Sequence, residues 1–295
     1  MENNIPLADR MKSYEKQSRS LIDPTHYIII RVDGKAFHTY TKNMQKPWDD
    51  GLVDNMVETT KYLCENVPTC VFGYTQSDEI SLILKPSPQP YFNGQVQKIV
   101  SIVASMATAK FTQSRIVTEY KNVVYQEDCD VSSIAIRDFI EGVDLAHFDA
   151  RILGIELQNE VVRYFIWRQR DAIRNSIQML ASYYFTQKEM HKLNTDILRG
   201  MISARVCDGF TAWEDIDISK QRGTGVLKHT ELWQRNDNPL APYTGTYIKD
   251  VTNEGGETCC TDTMKKQGFY TRKKWKIDLN IPIFEENWDY IFKIL

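Results

Sequence analysis

The sequence predicts an α+β fold: a ferredoxin-like unit with an antiparallel sheet, followed by a helical C-terminal region. Three observations carry this. Residues 27–32 (YIIIRV) form a compact, β-branched run that reads as a buried strand. A helical pattern follows, and then two apolar runs, 71–74 and 80–84, divided only by the turn-forming Gln76-Ser77-Asp78-Glu79. Strand, helix, strand, strand is the first half of a split βαβ unit. Beyond about residue 158 the pattern turns helical.

Taken in order, residues 5–20 place Leu7, Met11 and Tyr14 at helical spacing, so an amphipathic helix is expected. The strand at 27–32 runs into Asp33-Gly34. Asp49 and Asp50 offer an N-cap for a helix carrying Leu52, Val53, Met56 and Leu63. After the Pro-rich break at 85–90, Val96, Ile99, Val100, Val103 and Met106 mark a long helix. Segments 131–137 and 147–153 are read as strands that complete the sheet. Helices are expected at 160–185 and 187–203, and an irregular, Gly-rich, aromatic tail from 205. The boundary is set at 155, giving residues 1–155 and 156–295 as two regions.

The 295 residues suffice for a core without covalent staples. The six cysteines, Cys64, Cys70, Cys129, Cys207, Cys259 and Cys260, form no C-x-x-C pair and are read as reduced thiols. No apolar stretch approaches the roughly 20 residues of a membrane span, and residues 1–17 have no apolar signal core, so the expectation is a cytoplasmic protein without a membrane partner. A net charge of -3 argues against a uniformly basic nucleic-acid surface, so any RNA site must be a local patch.

The chemistry is read from the strand ends. Asp33 closes the first strand, and Asp78 and Glu79 sit in the turn between the next two. In a β-α-β-β sheet these elements are neighbours, so the carboxylates converge and require a cation between them. Mg²⁺ takes one or two carboxylates and completes its shell with waters and substrate phosphates. Gly34 lets the backbone approach a phosphate, and the N–H groups after it can form an anion nest. Asp-Gly and Ser-Asp-Glu are also ordinary turn sequences; their joint placement points to catalysis.

These residues resemble the tRNA(His) guanylyltransferase family and its Thg1-like branch. Arg31-Val32-Asp33-Gly34-Lys35-Ala36-Phe37-His38 is similar to that family's strand-and-loop signature. Lys46-Pro47 with Asp49, Phe72-Gly73-Tyr74-Thr75-Gln76-Ser77-Asp78-Glu79, Phe148-Asp149-Ala150-Arg151, Trp167-Arg168-Gln169-Arg170-Asp171 and Arg222-Gly223-Thr224 follow in the family's order. The resemblance implies a polymerase-like palm, a tetramer, and 3′–5′ addition of nucleotides to RNA 5′ ends. It implies that Asp33, Asp78 and Glu79 are catalytic, that Asp33, Asp78 and the Gly34 carbonyl hold two Mg²⁺, and that Lys35, Ala36, Phe37, His38, Lys46 and Ser77 bind the nucleoside triphosphate, GTP or ATP. On the long helix Ile173-Arg174-Asn175 keeps only the Asn of the family's eukaryotic motif, which favours templated repair of 5′-truncated tRNA over dedicated tRNA(His) guanylylation. Asn93-Gly94-Gln95 replaces a basic run, which favours 5′-triphosphorylated ends. A palm-type nucleotide cyclase is the other enzymatic alternative.

For tRNA itself, Arg163, Arg170 and Arg174 share one helical face, to which Arg151 and Arg168 add; intrahelical pairing with Glu160 and Asp171 is the competing expectation. Asn175 and Arg222 join the RNA set through the motifs above. The run 265–276 mixes lysines, including Lys273 and Lys274, with aromatics, a composition that suits phosphates and exposed bases.

Overall fold

The computed structural model describes residues 5–126, 136–235, 245–251 and 269–295. Its elements are α1 (Leu7–Lys16), β1 (Tyr27–Gly34), α2 (Phe37–Tyr40), α3 (Asp50–Asn66), β2 (Cys70–Gln76), β3 (Glu79–Leu84), α4 (Val96–Gln126), α5 (Ile136–Gly142), β4 (Phe148–Ile155), α6 (Gln158–Tyr184), α7 (Gln187–Met190), α8 (Thr195–Ser203), α9 (Ile218–Arg222), β5 (Thr224–Arg235), β6 (Gly245–Val251), β7 (Phe269–Asp278) and α10 (Asp289–Phe292).

The sheet runs β4-β1-β3-β2-β5-β6, with β7 on the second edge of β5, and every pairing is antiparallel. Its first four strands have the ferredoxin-like order. Alternation along β1 sends Ile28, Ile30 and Val32 to one face, where they pack with Met56, Leu63, Ile99, Val103 and Phe111 beneath α3 and α4. Tyr27 and Ile29 point the other way, joining Phe72, Tyr74 and Ile83 against Val161, Val162 and Phe165 of α6 and Ile281, Phe284 and Ile291 of the C-terminal segment. Burying such side chains stabilises by about 1.5–3 kcal/mol each, so both faces are closed by apolar cover. Local signals set the entries: the Asp49 carboxylate accepts the Leu52 N–H at 2.8 Å and starts α3.

The C-terminal half differs from the sequence expectation in two places. The single helix predicted over 187–203 is two, because Lys192 takes a positive φ of 61° and Asn194 caps a new start by accepting the Ile197 N–H. The tail beyond 205 is not irregular but carries β5, β6 and β7, and Thr224–Leu227 extends the sheet beside β2. Long polar side chains in β5 (Lys228, His229, Glu231, Gln234) mask its alternation, and two of its pairing partners, β2 and β7, lie far away in the chain. Of the strand expected at 131–137, residues 131–135 lie outside the described residues, as do Cys129, Cys259, Cys260 and residues 265–268 of the basic run; residues 136 and 137 open α5. Cys64 and Cys70 are buried free thiols and Cys207 is exposed.

The end of α9 is pinned to the sheet. The Tyr74 hydroxyl donates to the Arg222 carbonyl at 2.7 Å. Gly223 has φ 90°, and a Cβ there would lie 2.6 Å from the Thr75 carbonyl, so only glycine permits this approach.

Candidate active site

Register brings the two acidic segments together. Asp33 of β1 lies opposite Glu79 of β3 and opposite Asp149 of β4. The Gly34 N–H donates to the Asp78 carbonyl at 3.1 Å, which locks the strand end to the turn. Ser77 turns the chain with φ 49°, and its hydroxyl donates to Asp78 Oδ1 at 3.1 Å. Burial pushes the Asp78 carboxyl above its usual range, and the nearby charge of Asp33 adds to that push.

Asp78 opens into a cleft of about 400 Å³, a size that suits a small ligand. Its walls are His38 and Lys46 on the loop side, Leu52, Val53 and Met56 of α3, Ser77 and Asp78 of the turn, and Asn175 and Met179 of α6. Trp48 and Lys220, which the sequence did not single out, stand in the same lining; Lys220 bridges Asp50 at 2.7 Å and Asp217 at 3.1 Å, tying α9 to the start of α3.

After Gly34 the backbone changes hand at Ala36 (φ 54°), and α2 begins. The Lys35 N–H donates to the His147 carbonyl at 2.8 Å, whereas among the described residues no hydrogen bond engages the N–H groups of Ala36, Phe37 or His38. Lys35, Ala36 and His38 are exposed; the Phe37 ring is buried against Tyr40, Phe111 and Phe148 and anchors the loop. Lys46 is exposed and donates to the Thr41 carbonyl at 2.9 Å. A Cβ on Gly34 would lie 2.2 Å from the Phe37 ring. Gly34→Ala therefore displaces the ring and the loop; we expect a loss of about 1–3 kcal/mol in urea unfolding, as for other overpacked sites. Nucleoside triphosphate affinity should weaken roughly tenfold in a fluorescent-nucleotide titration, equivalent to about 1.4 kcal/mol.

Glu79 does not face this cleft. It is 4% exposed and both its oxygens meet guanidinium groups: Arg168 Nε donates to Oε1 at 2.7 Å, Arg168 Nη2 donates to Oε2 at 2.8 Å, and Arg31 Nη2 lies 2.8 Å from Oε2. Burial pushes its carboxyl up, against the pull of Arg168 and Arg31. Arg168, expected to add to an RNA surface, is instead buried, because α6 lies flat on the sheet and aims it at Glu79; it also reaches Asp171 at 2.9 Å and stacks on Trp167.

Four more of these arginines are exposed but paired. Arg163 meets Glu160 at 2.8 Å, Arg170 is held by Glu285, Arg174 by Asp171, and Arg151 lies 3.5 Å from Asp149 and 4.0 Å from Asp33. For Arg163 and Arg174 this is the intrahelical pairing weighed against an RNA face. Arg222 is half-buried and donates from Nε to the Ile281 carbonyl at 2.9 Å. Lys273 and Lys274 are exposed on β7, Lys274 near the Trp233 ring at 4.8 Å. Among the described residues, no group of three or more His, Cys, Asp or Glu is placed to hold a metal ion. Asp78 lines the cleft, whereas Asp33 and Gly34 do not; the carboxylates of Asp33 and Asp78 and the Gly34 carbonyl are oxygen donors at adjoining positions, of the kind Mg²⁺ accepts alongside water and phosphate.

An antiparallel, ferredoxin-like sheet with acidic residues at adjoining strand ends, opening on a ligand-sized cleft, is the class of protein this is. The tRNAHis guanylyltransferase (Thg1) family model matches residues 8–156, and the chain belongs to this family. It is similar to the uncharacterized protein R259 of Acanthamoeba polyphaga mimivirus, 30% identical over 239 residues that cover 76% of this chain and 78% of that one. It is 30% identical to the tRNA(His) guanylyltransferase of Debaryomyces hansenii over 169 residues, 57% of each chain. Among solved structures, a bacterial tRNA(His) guanylyltransferase (Thg1)-like protein in complex with ATP aligns at TM-score 0.71 and 28% identity, covering 98% of this chain and 99% of that one; a bacterial Thg1-like protein in complex with GTP aligns at 0.64 with the same identity and coverage.

Proposed function

We propose that this protein adds nucleotides to the 5′ end of tRNA in the 3′–5′ direction, on a template, and so repairs 5′-truncated tRNA. The observation that carries this is the position of Asp78: its carbonyl accepts the N–H of Gly34, the residue after Asp33, and its side chain lines a cleft with Ser77, His38, Lys46 and Asn175. The ATP and GTP named with the bacterial relatives support a nucleoside triphosphate in this cleft.

In the reaction, the 3′-hydroxyl of the bound triphosphate attacks the activated 5′ phosphorus of the RNA. An O–P bond forms, and pyrophosphate departs from a 5′-triphosphate end, or AMP from an adenylylated one. Asp33, Asp78 and the Gly34 carbonyl would hold two Mg²⁺ ions, whose chemistry is to activate the hydroxyl and neutralise phosphate charge. The protein's own part is positioning and charge. Unengaged N–H groups of Ala36, Phe37 and His38 face the phosphates with Lys35 and Ser77, and Lys46 exchanges the Thr41 carbonyl for a phosphate oxygen. Arg151, Arg163, Arg170 and Arg174 meet the RNA backbone with Asn175, Arg222, Lys273 and Lys274. Exposed ion pairs are weak, so those held by the exposed arginines yield readily to phosphates. Homotetramer assembly and a cytoplasmic site of action belong to the same reading; exposed Leu7, Met11 and Tyr14 on α1 support assembly, and no helix among the described residues is long and apolar enough to cross a membrane.

The test is incubation of 5′-truncated tRNA bearing a 5′-triphosphate with labelled nucleoside triphosphates and Mg²⁺. Templated growth at the 5′ end is expected, with 5′-monophosphate ends reacting more slowly. Addition of a single untemplated G restricted to tRNA(His) would establish the dedicated guanylyltransferase instead, and a cyclic nucleotide formed without RNA would establish a cyclase.

A further inference from the structure

Arg31 occupies an unusual place. It follows the apolar run 27–30 of β1, and one nitrogen, Nη2, meets two carboxylates: Asp33 Oδ2 at 2.8 Å and Glu79 Oε2 at 2.8 Å. Its Nε is buried and has no hydrogen-bond partner among the described residues. The guanidinium is therefore held chiefly through that shared nitrogen. Glu79 is fixed in turn by the two-pronged contact from Arg168, whose second partner is Asp171.

We propose that Arg31 and Glu79 are positioning residues that set how easily Asp33 is released to a divalent cation, with Arg168 holding Glu79 in the geometry that makes this possible. The inference rests on the reading that Asp33 binds a cation. A guanidinium bound to Asp33 alone competes with any incoming cation at full strength. Shared between two carboxylates, it grips each more loosely. Glu79 thus acts on Asp33 through Arg31 without touching the cation, since binding one itself would mean giving up its two guanidinium partners in a buried setting. The shared arginine also tempers repulsion between Asp33 and Asp78, which the backbone bond from Gly34 to Asp78 keeps near each other.

Mn²⁺ binding to the full-length protein, read from the loss of the free-ion EPR signal without nucleotide or RNA, tests this apart from turnover. The wild type should bind Mn²⁺ and Asp33→Asn should not; Mn²⁺ binding that ignores Asp33 would overturn the cation reading, and this inference with it. Given Asp33-dependent binding, Glu79→Gln should weaken it by about tenfold or more, in the range of changes to residues behind metal ligands. Arg31→Gln should tighten it, and the Arg31→Gln/Glu79→Gln pair should return to wild-type affinity or better. Weakening in Glu79→Gln that Arg31→Gln does not repair would mean that Glu79 reaches the cation directly, and unchanged affinity in Glu79→Gln would mean that the arginine is not shared in effect; either overturns the proposal. Should Glu79→Gln fail to fold by circular dichroism, Arg31→Gln decides alone: tighter binding supports the proposal, unchanged or weaker binding overturns it.

Discussion

Asp78→Ala is expected to retain the native fold and to lose 5′ nucleotide addition by about three orders of magnitude, the scale seen when a preorganised catalytic charge contact is removed. The fold survives because Asp78 contributes to it mainly through its backbone: the carbonyl that accepts the Gly34 N–H at 3.1 Å is kept in alanine. Its side chain is held by the Ser77 hydroxyl and by a backbone N–H of its own turn, and burial already disfavours the ionised form. Removing it therefore relieves a desolvated carboxylate rather than breaking packing. The checks are the rate of 5′ extension on truncated tRNA and a thermal melt by circular dichroism. Near-normal extension would remove Asp78 from the chemistry. Asp78→Asn keeps the shape and should lose nearly as much, because charge is what the site requires.

Arg168→Met should have the largest effect on stability, a loss of about 3–5 kcal/mol in urea unfolding, the cost of breaking a buried ion pair by deleting one partner. Among the described residues Glu79, 4% exposed, would keep Arg31, shared with Asp33, as its one cation, with a Ser81 hydroxyl at 3.5 Å. The Arg168→Met/Glu79→Gln pair should recover part of the loss, and the size of that recovery reports the coupling. Arg168→Lys cannot reproduce the two-pronged contact and should fall between wild type and Met. A loss below about 1 kcal/mol, typical of exposed pairs, would mean that the contact is open to solvent.

Much of the palm was legible because its signals are local. The apolar run of β1, the Asp49 cap and the two apolar runs flanking the β2–β3 turn each state their element within a few residues, and the β-α-β-β order then places Asp33 beside Asp78 and Glu79. What could not be read depends on partners remote in the chain. β5 becomes a strand by pairing with β2 and β7, and its polar side chains carry little period-two pattern. The different fates of adjacent Asp78 and Glu79 were hidden too: one side chain faces the cleft and the other lies under α6, which is decided by where α6 lands. One clue was available. An arginine inside the run YIIIRV must find a carboxylate to be tolerated there, and Arg31 has Asp33 two residues on, along the same face of the strand.

One sheet face is roofed by α6 together with Ile281, Phe284 and Ile291. The family match ends at residue 156, just before this roof begins. The recognisable portion is thus not a detachable module: cut loose, it would present Tyr27, Ile29, Phe72, Tyr74 and Ile83 bare to water and leave Glu79 without its principal counter-charge. Inheritance of the signature therefore obliges inheritance of a lid. What the sheet demands of that lid is an apolar underside and a cation at Glu79, which Arg168 supplies.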